Sequence, residues 1–536
     1  MGGGPGGSGT GVATGSLFWA IIMSAFAAFG GILFGYDTGT IGGVIAMDDW
    51  LTTFGVYDPS SANTTGFDYY LPTAHKSLVV SILSAGTFFG ALLAYPMADI
   101  VGRKRGIIAS CGVFCLGVGL QLDTHWAVFV IGRVIAGFGV GLVSCLIPMY
   151  QSECAPKSLR GMIVGLYQLA ITIGALLAAI VLNATKNEMS HSAWRTPIAV
   201  QFAWAGILSG GIFLLPESPR FLMHKGREDE ARRALARFMT MPPESPEVEL
   251  ELDEIATALA ADRAVAQGSY IDCFRNNDSK NGLRTWTGIC LQGWQQLTGI
   301  NFIFYYGTTF FQQAGISNPF IITIIADVVN TVMTIVGVQL IDRVGRRRLL
   351  IIGAIGMCFS EYIVAIVGVT VGQTKSSVIN GVASTTAVNL TAQRVLIAFV
   401  CIYIAFYAIS WGPVVWPLNI RAKAMSLSVA SNWLWNFGIG YATPYLVDPT
   451  TTGILGVKTA HLGVKVFFIW GSTCLGCFLF TYFFIPEVKG LSLEQIDLLY
   501  RESSILNSDR YRRQMLEEGE TYVQKKKDYV EEKERV

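Results

Sequence analysis

The stretch DIVGRKRG, residues 99–106, sets one acid and three cations in the middle of a chain that is otherwise largely apolar. Residues 342–348 read DRVGRRR: the same Asp, two intervening residues, Gly and again a run of cations. A motif written twice, each time between long apolar runs, points to a duplicated unit threaded through a membrane. Composition agrees. Of 536 residues, 52% are hydrophobic and 14% charged, with a mean hydropathy of +0.46, whereas a soluble domain carries charge on roughly a quarter of its residues. The net charge of +1 is not the clustered basic surface that a nucleic-acid partner needs, and that class is set aside.

Working outward from the motif, apolar runs able to cross the roughly 30 Å hydrocarbon layer as helices fall near 18–46, 77–98, 106–122, 126–149, 161–183, 197–215, 285–312, 319–341, 348–371, 394–418, 426–446 and 463–485. The expected fold is an all-α membrane protein of twelve transmembrane helices in two six-helix pseudo-repeats. The domains that follow are a disordered leader (1–17), a first bundle (18–216), a linker (217–284), a second bundle (285–485) and a charged tail (486–536). The leader has no Lys or Arg, so it lacks a signal peptide's basic region, and Gly6 stands where a myristoylation motif wants Ser or Thr. The linker reads as short amphipathic helices broken by prolines.

Cytoplasmic loops retain cations. Placing both termini inside puts Arg103, Lys104 and Arg105, and Arg343, Arg346, Arg347 and Arg348, on the cytoplasmic side. The sequons at Asn63, Asn183 and Asn389 then fall in outer loops, where glycosylation occurs, while Asn277 falls inside. Most cysteines, including the CLGC of 474–477, lie in apolar runs and read as core packing. The five histidines sit in loops or at span edges without metal spacing. No cofactor, metal or catalytic constellation is expected, and the chain does not read as an enzyme.

Further echoes follow the repeated motif: PESPRFL (216–222) closes the first half as PEVKGLS (486–492) closes the second. Two parallel six-span repeats are the arrangement in which transporters rock one half against the other around a midplane site. The Asp, the Gly turn and the cations read as a charge latch on the cytoplasmic face, holding the halves together in one state and releasing them in the other. With FGYDTGTIGG (34–43), GRVIAGFGVG (132–141), PMYQSECAPKSLRG (148–161), QQLTGINFIFYY (295–306), SNWLWNF (431–437) and PEVKGLSLEQID (486–497), the chain resembles the sugar porters of the major facilitator superfamily. Within them it is most similar to the fungal hexose transporters.

A hexose offers hydroxyls and a weakly apolar face, so its site needs amides and indoles from several helices and few charges. The apolar spans carry Gln168, Gln295, Gln296, Asn301, Asn330, Trp416, Asn432 and Asn436. The resemblance implies that Gln168, Gln295, Gln296, Asn301, Asn330 and Trp416 bind the sugar, with Asn436 beside them. The substrate it implies is a monosaccharide: glucose, or fructose, mannose, galactose or xylose. It also implies that the segment around Phe302, Phe304, Tyr305 and Tyr306 closes over the sugar, Gly299 unwinding the helix; lipid-facing rings are the alternative for Phe302 and Phe304. Asp37 and Arg133 are intramembrane charges suited to taking up and releasing a proton. Asp37 is compatible with proton symport and with facilitated diffusion alike. The gate residues are Asp99, Arg103, Glu153 and Arg160 in the first half and Asp342, Arg346 and Arg421 in the second.

One departure stands out. ECAPKSLR places Glu153 seven residues before Arg160, but in WGPVVWPLNIRAKAMS the corresponding position before Arg421 is Val414. Relatives carry a further helical segment with that glutamate. The five steps from Trp416 to Arg421 cover about 7.5 Å, half of the ~15 Å from midplane to membrane surface. Impaired or altered transport is the expectation. The reading is a plasma-membrane monosaccharide transporter working by alternating access, with a glucose sensor on the same fold as the alternative.

Overall fold

The computed structural model describes residues 26–58, 68–154, 160–188, 190–265, 273–275, 280–313, 316, 318–372, 374–379, 382–387, 389–414, 422–448, 458–489, 491, 495, 499–500 and 502–517. In the first half, α1 (Phe29–Val44) is followed by a short α2 (Asp48–Phe54), then α3 (Thr73–Val101), α4 (Arg103–Leu120), α5 (Trp126–Cys154), α6 (Arg160–Thr185) and α7 (Ser192–Leu214). The linker forms α8 (Pro219–His224), α9 (Glu228–Met239) and α10 (Pro246–Val265). The second half runs α11 (Asn281–Leu297), α12 (Ile300–Gln313), α13 (Pro319–Val344), α14 (Arg346–Thr370), α15 (Leu390–Ile409), α16 (Trp411–Val414), α17 (Ala422–Val447) and α18 (Val466–Phe484). Two small antiparallel hairpins join helices: Val56–Tyr57 with Tyr69–Tyr70, and Thr374–Ile379 with Val382–Ala387.

The described residues place helix in each of the twelve runs expected to span the membrane. Among the described residues, eight helices are long and apolar enough to cross a membrane on their own. The remaining four have physical reasons to fall short. Only 16 residues of α1 form its described helix, α4 opens on three cations, the seventh span is broken into α11 and α12, and α17 carries Ser and Asn among its apolar residues. Leu116, Phe213, Leu214, Ile355 and Phe359 are exposed, as lipid-facing side chains must be. Inside, α3 and α5 approach through small residues: a Cβ on Gly137 or Gly141 would lie 2.1 or 2.2 Å from the carbonyl oxygens of Leu83 or Thr87, the close approach that associates helices where no water drives them together.

The repeated motif explains itself in three dimensions. Gly102 and Gly345 adopt φ of +98° and +97°, so each turn between the second and third span needs a residue without a Cβ. Each following helix begins with unpaired N–H groups, and a glutamate from the end of the same half receives them. Glu217 Oε1 accepts from Arg103 N (3.1 Å) and Lys104 N (3.0 Å). Glu487 accepts from Arg346 N and Arg347 N, both at 3.2 Å. The second cation of each copy seals the join: Lys104 Nζ donates to Phe213 O and Arg347 Nη2 to Tyr482 O, each at 2.7 Å.

Of the expected gate residues, Asp99, Arg103 and Glu153 meet one another within the first half. Arg103 Nη2 lies 2.9 Å from Glu153 Oε1, Nη1 lies 3.7 Å from Asp99 and donates to Ala98 O at 3.0 Å, and Ser218 Oγ donates to Glu153. Every one of these groups belongs to the first bundle or the first residues of the linker. The contacts fasten the linker to the bundle rather than one half to the other, because α8 starts directly beneath the α3–α4 turn. Phe238 of α9 packs edge-on against Tyr150 of α5 at 6.3 Å. At the second bundle, Asp509 pairs with Arg348 (2.9 Å), Arg512 and Arg513; partial burial opposes its ionisation, but hydrogen bonds from Arg513 and Arg512 hold its carboxyl down at about 2. The side chains of Arg160 and Asp342 lie outside the described residues.

Replacing Glu217 or Glu487 by Ala strands two backbone donors each and is expected to lower stability by about 1–3 kcal/mol. A fall in the thermal unfolding midpoint of the detergent-solubilised protein is the measurement, and an unchanged midpoint for both variants would show that the caps are dispensable.

Candidate functional site

The seventh span breaks where the sequence suggested. Gly299 has φ of +83°, and a Cβ there would lie 2.5 Å from the Trp470 ring. The break is held from two sides: Tyr403 Oη donates to Thr298 O at 2.8 Å and Thr473 Oγ1 to Leu297 O at 2.6 Å. It sets Gln295 and Gln296 in the last turn of α11 and Asn301 in the first turn of α12, aimed at one place.

Two neighbouring hydrogen-bonded sets of amides result, one around Asn432 and one around Asn436. Gln295 Nε2 donates to Trp411 O at 2.8 Å, and its Oε1 accepts from Asn432 Nδ2 at 2.8 Å. The same Asn432 nitrogen donates to Gln292 Oε1 at 2.6 Å. Gln296 Oε1 accepts from Asn301 Nδ2 and, at 3.4 Å, from Asn436 Nδ2. Asn436 Oδ1 in turn accepts from Tyr305 Oη (3.1 Å) and from Ser84 Oγ (2.8 Å). Ser84 belongs to α3, so the network crosses between the halves. A matching approach comes from α6, where Gln168 Nε2 lies 3.5 Å from the position a Cβ on Gly412 would take, next to the Trp411 carbonyl that Gln295 bonds. Asn330 is buried on α13, its Oδ1 without a hydrogen-bond partner among the described residues. Trp416 and Arg421 lie outside the described residues, as does the shortened stretch between them.

Gln292 and Ser84 were missed. Gln292 stands one helical turn before Gln295 on the same face, a signal that could have been read; a lone Ser in an apolar span gives none. Phe302 does not face lipid, for its ring is buried and packs at 5.3 and 5.6 Å from Phe310 and Phe467. Asn183 is not in a loop: α6 continues to Thr185, and Asn183 Oδ1 accepts from Lys186 Nζ at 2.9 Å. Asn389 caps α15 by accepting from the backbone N–H groups of Thr391 and Ala392, and Asn63 is outside the described residues.

The two intramembrane charges meet. Arg133 Nη1 lies 3.3 Å from Asp37 Oδ1, both side chains fully buried, while Arg133 Nε donates to Val79 O at 3.3 Å. Tyr305 is within electrostatic reach of the pair, so the charges adjoin the amide network through the hydroxyl that bonds Asn436. Close by, α1 and α12 touch backbone to backbone: a Cβ on Gly42 would lie 2.8 Å from the carbonyl oxygens of Phe304 and Tyr305. At the end opposite the charged turns, Lys76 of α3 pairs with Asp448 after α17 at 3.0 Å, with Tyr306 beneath, its hydroxyl donating to Gly440 O at 2.6 Å.

A two-bundle helical membrane protein with an uncharged amide cluster between its halves is the form of a small-molecule carrier, and the comparisons specify the kind. Residues 23–500 match the sugar (and other) transporter family, and the chain belongs to that family. It is 47% identical to the major facilitator-type transporter ecdD of Aspergillus rugulosus, over 90% of this chain and 87% of that one. It is 43% identical to the probable glucose transporter rco-3 of Neurospora crassa (90% and 79%) and 38% identical to the high glucose sensor RGT2 of Saccharomyces cerevisiae (91% and 62%). Among solved structures it resembles the proton:xylose symporter XylE bound to 6-bromo-6-deoxy-D-glucose, with a TM-score of 0.71 at 26% identity over 91% of this chain and 99% of that one. The chain is thus a multi-pass membrane protein of a transporter family.

Lys76→Met leaves Asp448 nearly buried and unpaired, which costs about 3–5 kcal/mol where a buried ion pair is broken from one side. The single variant is expected to unfold at a clearly lower temperature in detergent, and Lys76→Met with Asp448→Asn to recover most of the difference. Equal midpoints for single and double variants would show that the ion pair contributes nothing.

Proposed function

We propose that this protein carries a neutral monosaccharide of the glucose class across the plasma membrane by alternating access, with both termini cytoplasmic and no enzymatic step. The observation that carries the reading is the amide network itself. Gln292, Gln295 and Asn432 form one hydrogen-bonded set and Gln296, Asn301 and Asn436 a second, neither with a formal charge, and Ser84 ties the second to the other half. Amides can exchange bonds with one another for bonds with sugar hydroxyls at little cost, and a ligand that spans both bundles favours one relative orientation of the halves. Gln168 and Asn330 extend the site from α6 and α13, and Trp416 would close it. The rigid bodies that move are residues 18–216 and 285–485, joined by 217–284, with the leader 1–17 and the tail 486–536 outside them. Asn63 and Asn389 are the glycosylation sites this topology supports.

Uptake of radiolabelled glucose by yeast lacking its own hexose carriers tests the proposal. Gln296→Ala removes a group shared by Asn301 and Asn436, and is expected to raise KM roughly tenfold, about 1.4 kcal/mol. Absence of uptake by the native chain, together with glucose-dependent signalling, would favour the sensor reading that the likeness to RGT2 supports. Adding a protonophore decides the role of Asp37 and Arg133: collapse of accumulation marks symport, and unchanged equilibration marks facilitated diffusion.

The shortened stretch before Arg421 has its own test. Inserting two helical turns containing a glutamate between Trp416 and Pro417 is expected to increase uptake; equal uptake with and without the insert refutes an impaired gate.

A further inference from the structure

Glu361 lies on α14, nine residues before its C-terminal end and so about 14 Å along the axis from it, deep in the second bundle. The side chain is fully buried, and among the described residues its carboxyl oxygens have no close hydrogen-bond partner, the Cys474 thiol alone approaching them. The titratable groups facing it are Cys474 of α18 and Tyr403 of α15, with Cys358 on α14 itself. None of these is a cation. Burying an ionised carboxylate with no cation beside it is costly.

Its two neighbours place it. Tyr403 Oη donates to Thr298 O at 2.8 Å, and Cys474 Sγ lies 3.9 Å from the same oxygen. That carbonyl is the last before Gly299, where the seventh span breaks. The O–H and S–H groups beside the acid are therefore the ones that grip the break from which Asn301 and Tyr305 of α12 are hung.

We propose that Glu361 is a proton-binding site, separate from Asp37 and Arg133, whose occupancy is linked to the bend between α11 and α12. With the proton on, the uncharged acid does not compete for the hydrogens of Tyr403 and Cys474, and both serve Thr298. With the proton off, the carboxylate competes for those same hydrogens and the grip on the break is released. By linkage, a movement that opens the break also lowers the affinity for the proton. This inference deepens the carrier reading, on which its second half rests.

Infrared spectroscopy of the purified chain tests the proton directly, whatever the protein carries. Native protein at neutral pH is expected to show a protonated carboxylic C=O band that is sensitive to deuteration, absent in Glu361→Gln and retained in Asp327→Asn, the control for the other buried carboxyl on α13. A native spectrum identical to that of Glu361→Gln in this region overturns the proton site. Uptake then tests the linkage. Glu361→Gln stays neutral at every pH, so its uptake is expected to match native at low pH and to lose the decline that native shows as pH rises. Superimposable pH profiles overturn the linkage. Should Glu361→Gln fail to fold, the band in native protein is followed with pH in Tyr403→Phe and in native: an unchanged titration overturns the coupling to the break, and a shifted one supports it. A chain that shows the band but takes up no sugar sinks the carrier reading and leaves the proton site standing.

Discussion

A helix that starts inside a protein has backbone N–H groups with nowhere to go, and the rest of this structure depends on how two glutamates receive them. Glu217 and Glu487 each arrive from the end of their own half and bond the first N–H groups of the third span. The bond closes each six-helix unit on itself, tying its last helix to the turn after its second. It also explains why the glycines of that turn are followed by cations: a negative charge at the helix start is balanced by Lys104 or Arg347, whose side chains reach back to the last helix.

The amide cluster at the middle follows from a second constraint. Polar side chains within a membrane must satisfy one another, and Gln292, Gln295, Asn432, Gln296 and Asn436 do so in pairs that any hydroxylated ligand could break and replace. A break in the seventh span makes the arrangement possible, since a continuous helix would separate Gln296 from Asn301 by more than one turn. Tyr305, whose hydroxyl bonds Asn436, lies within electrostatic reach of the charged pair Asp37–Arg133.

Much of this was legible in the sequence, and the exceptions have physical reasons. Hydropathy alone placed twelve spans, and the doubled Asp-x-x-Gly-Arg string announced the repeat. The break at Gly299 was expected because the QQLTGIN stretch resembles a family in which that segment unwinds. The capping role of Glu217 and Glu487 was not readable, because their partners lie more than a hundred residues away and the PES and PEV strings carry no sign of them. The pairing of Arg103 with Glu153, fifty residues on, was not readable either, because both residues were read only as members of a cytoplasmic gate. Ser84 was hidden for another reason: a small hydroxyl in a transmembrane helix most often bonds its own backbone, as Thr87 does with Leu83 O. Sugar preference and energy coupling depend on placements that residue identity does not specify.

The backbone contact at Gly42 carries a consequence for how the protein could be held still. Since the carbonyls of Phe304 and Tyr305 sit where a methyl group would go, an alanine at that position acts as a wedge between α1 and α12. It would pry those helices apart without touching any amide of the cluster, trapping the molecule with that seam open and offering a ligand-free way to capture one end of its working cycle.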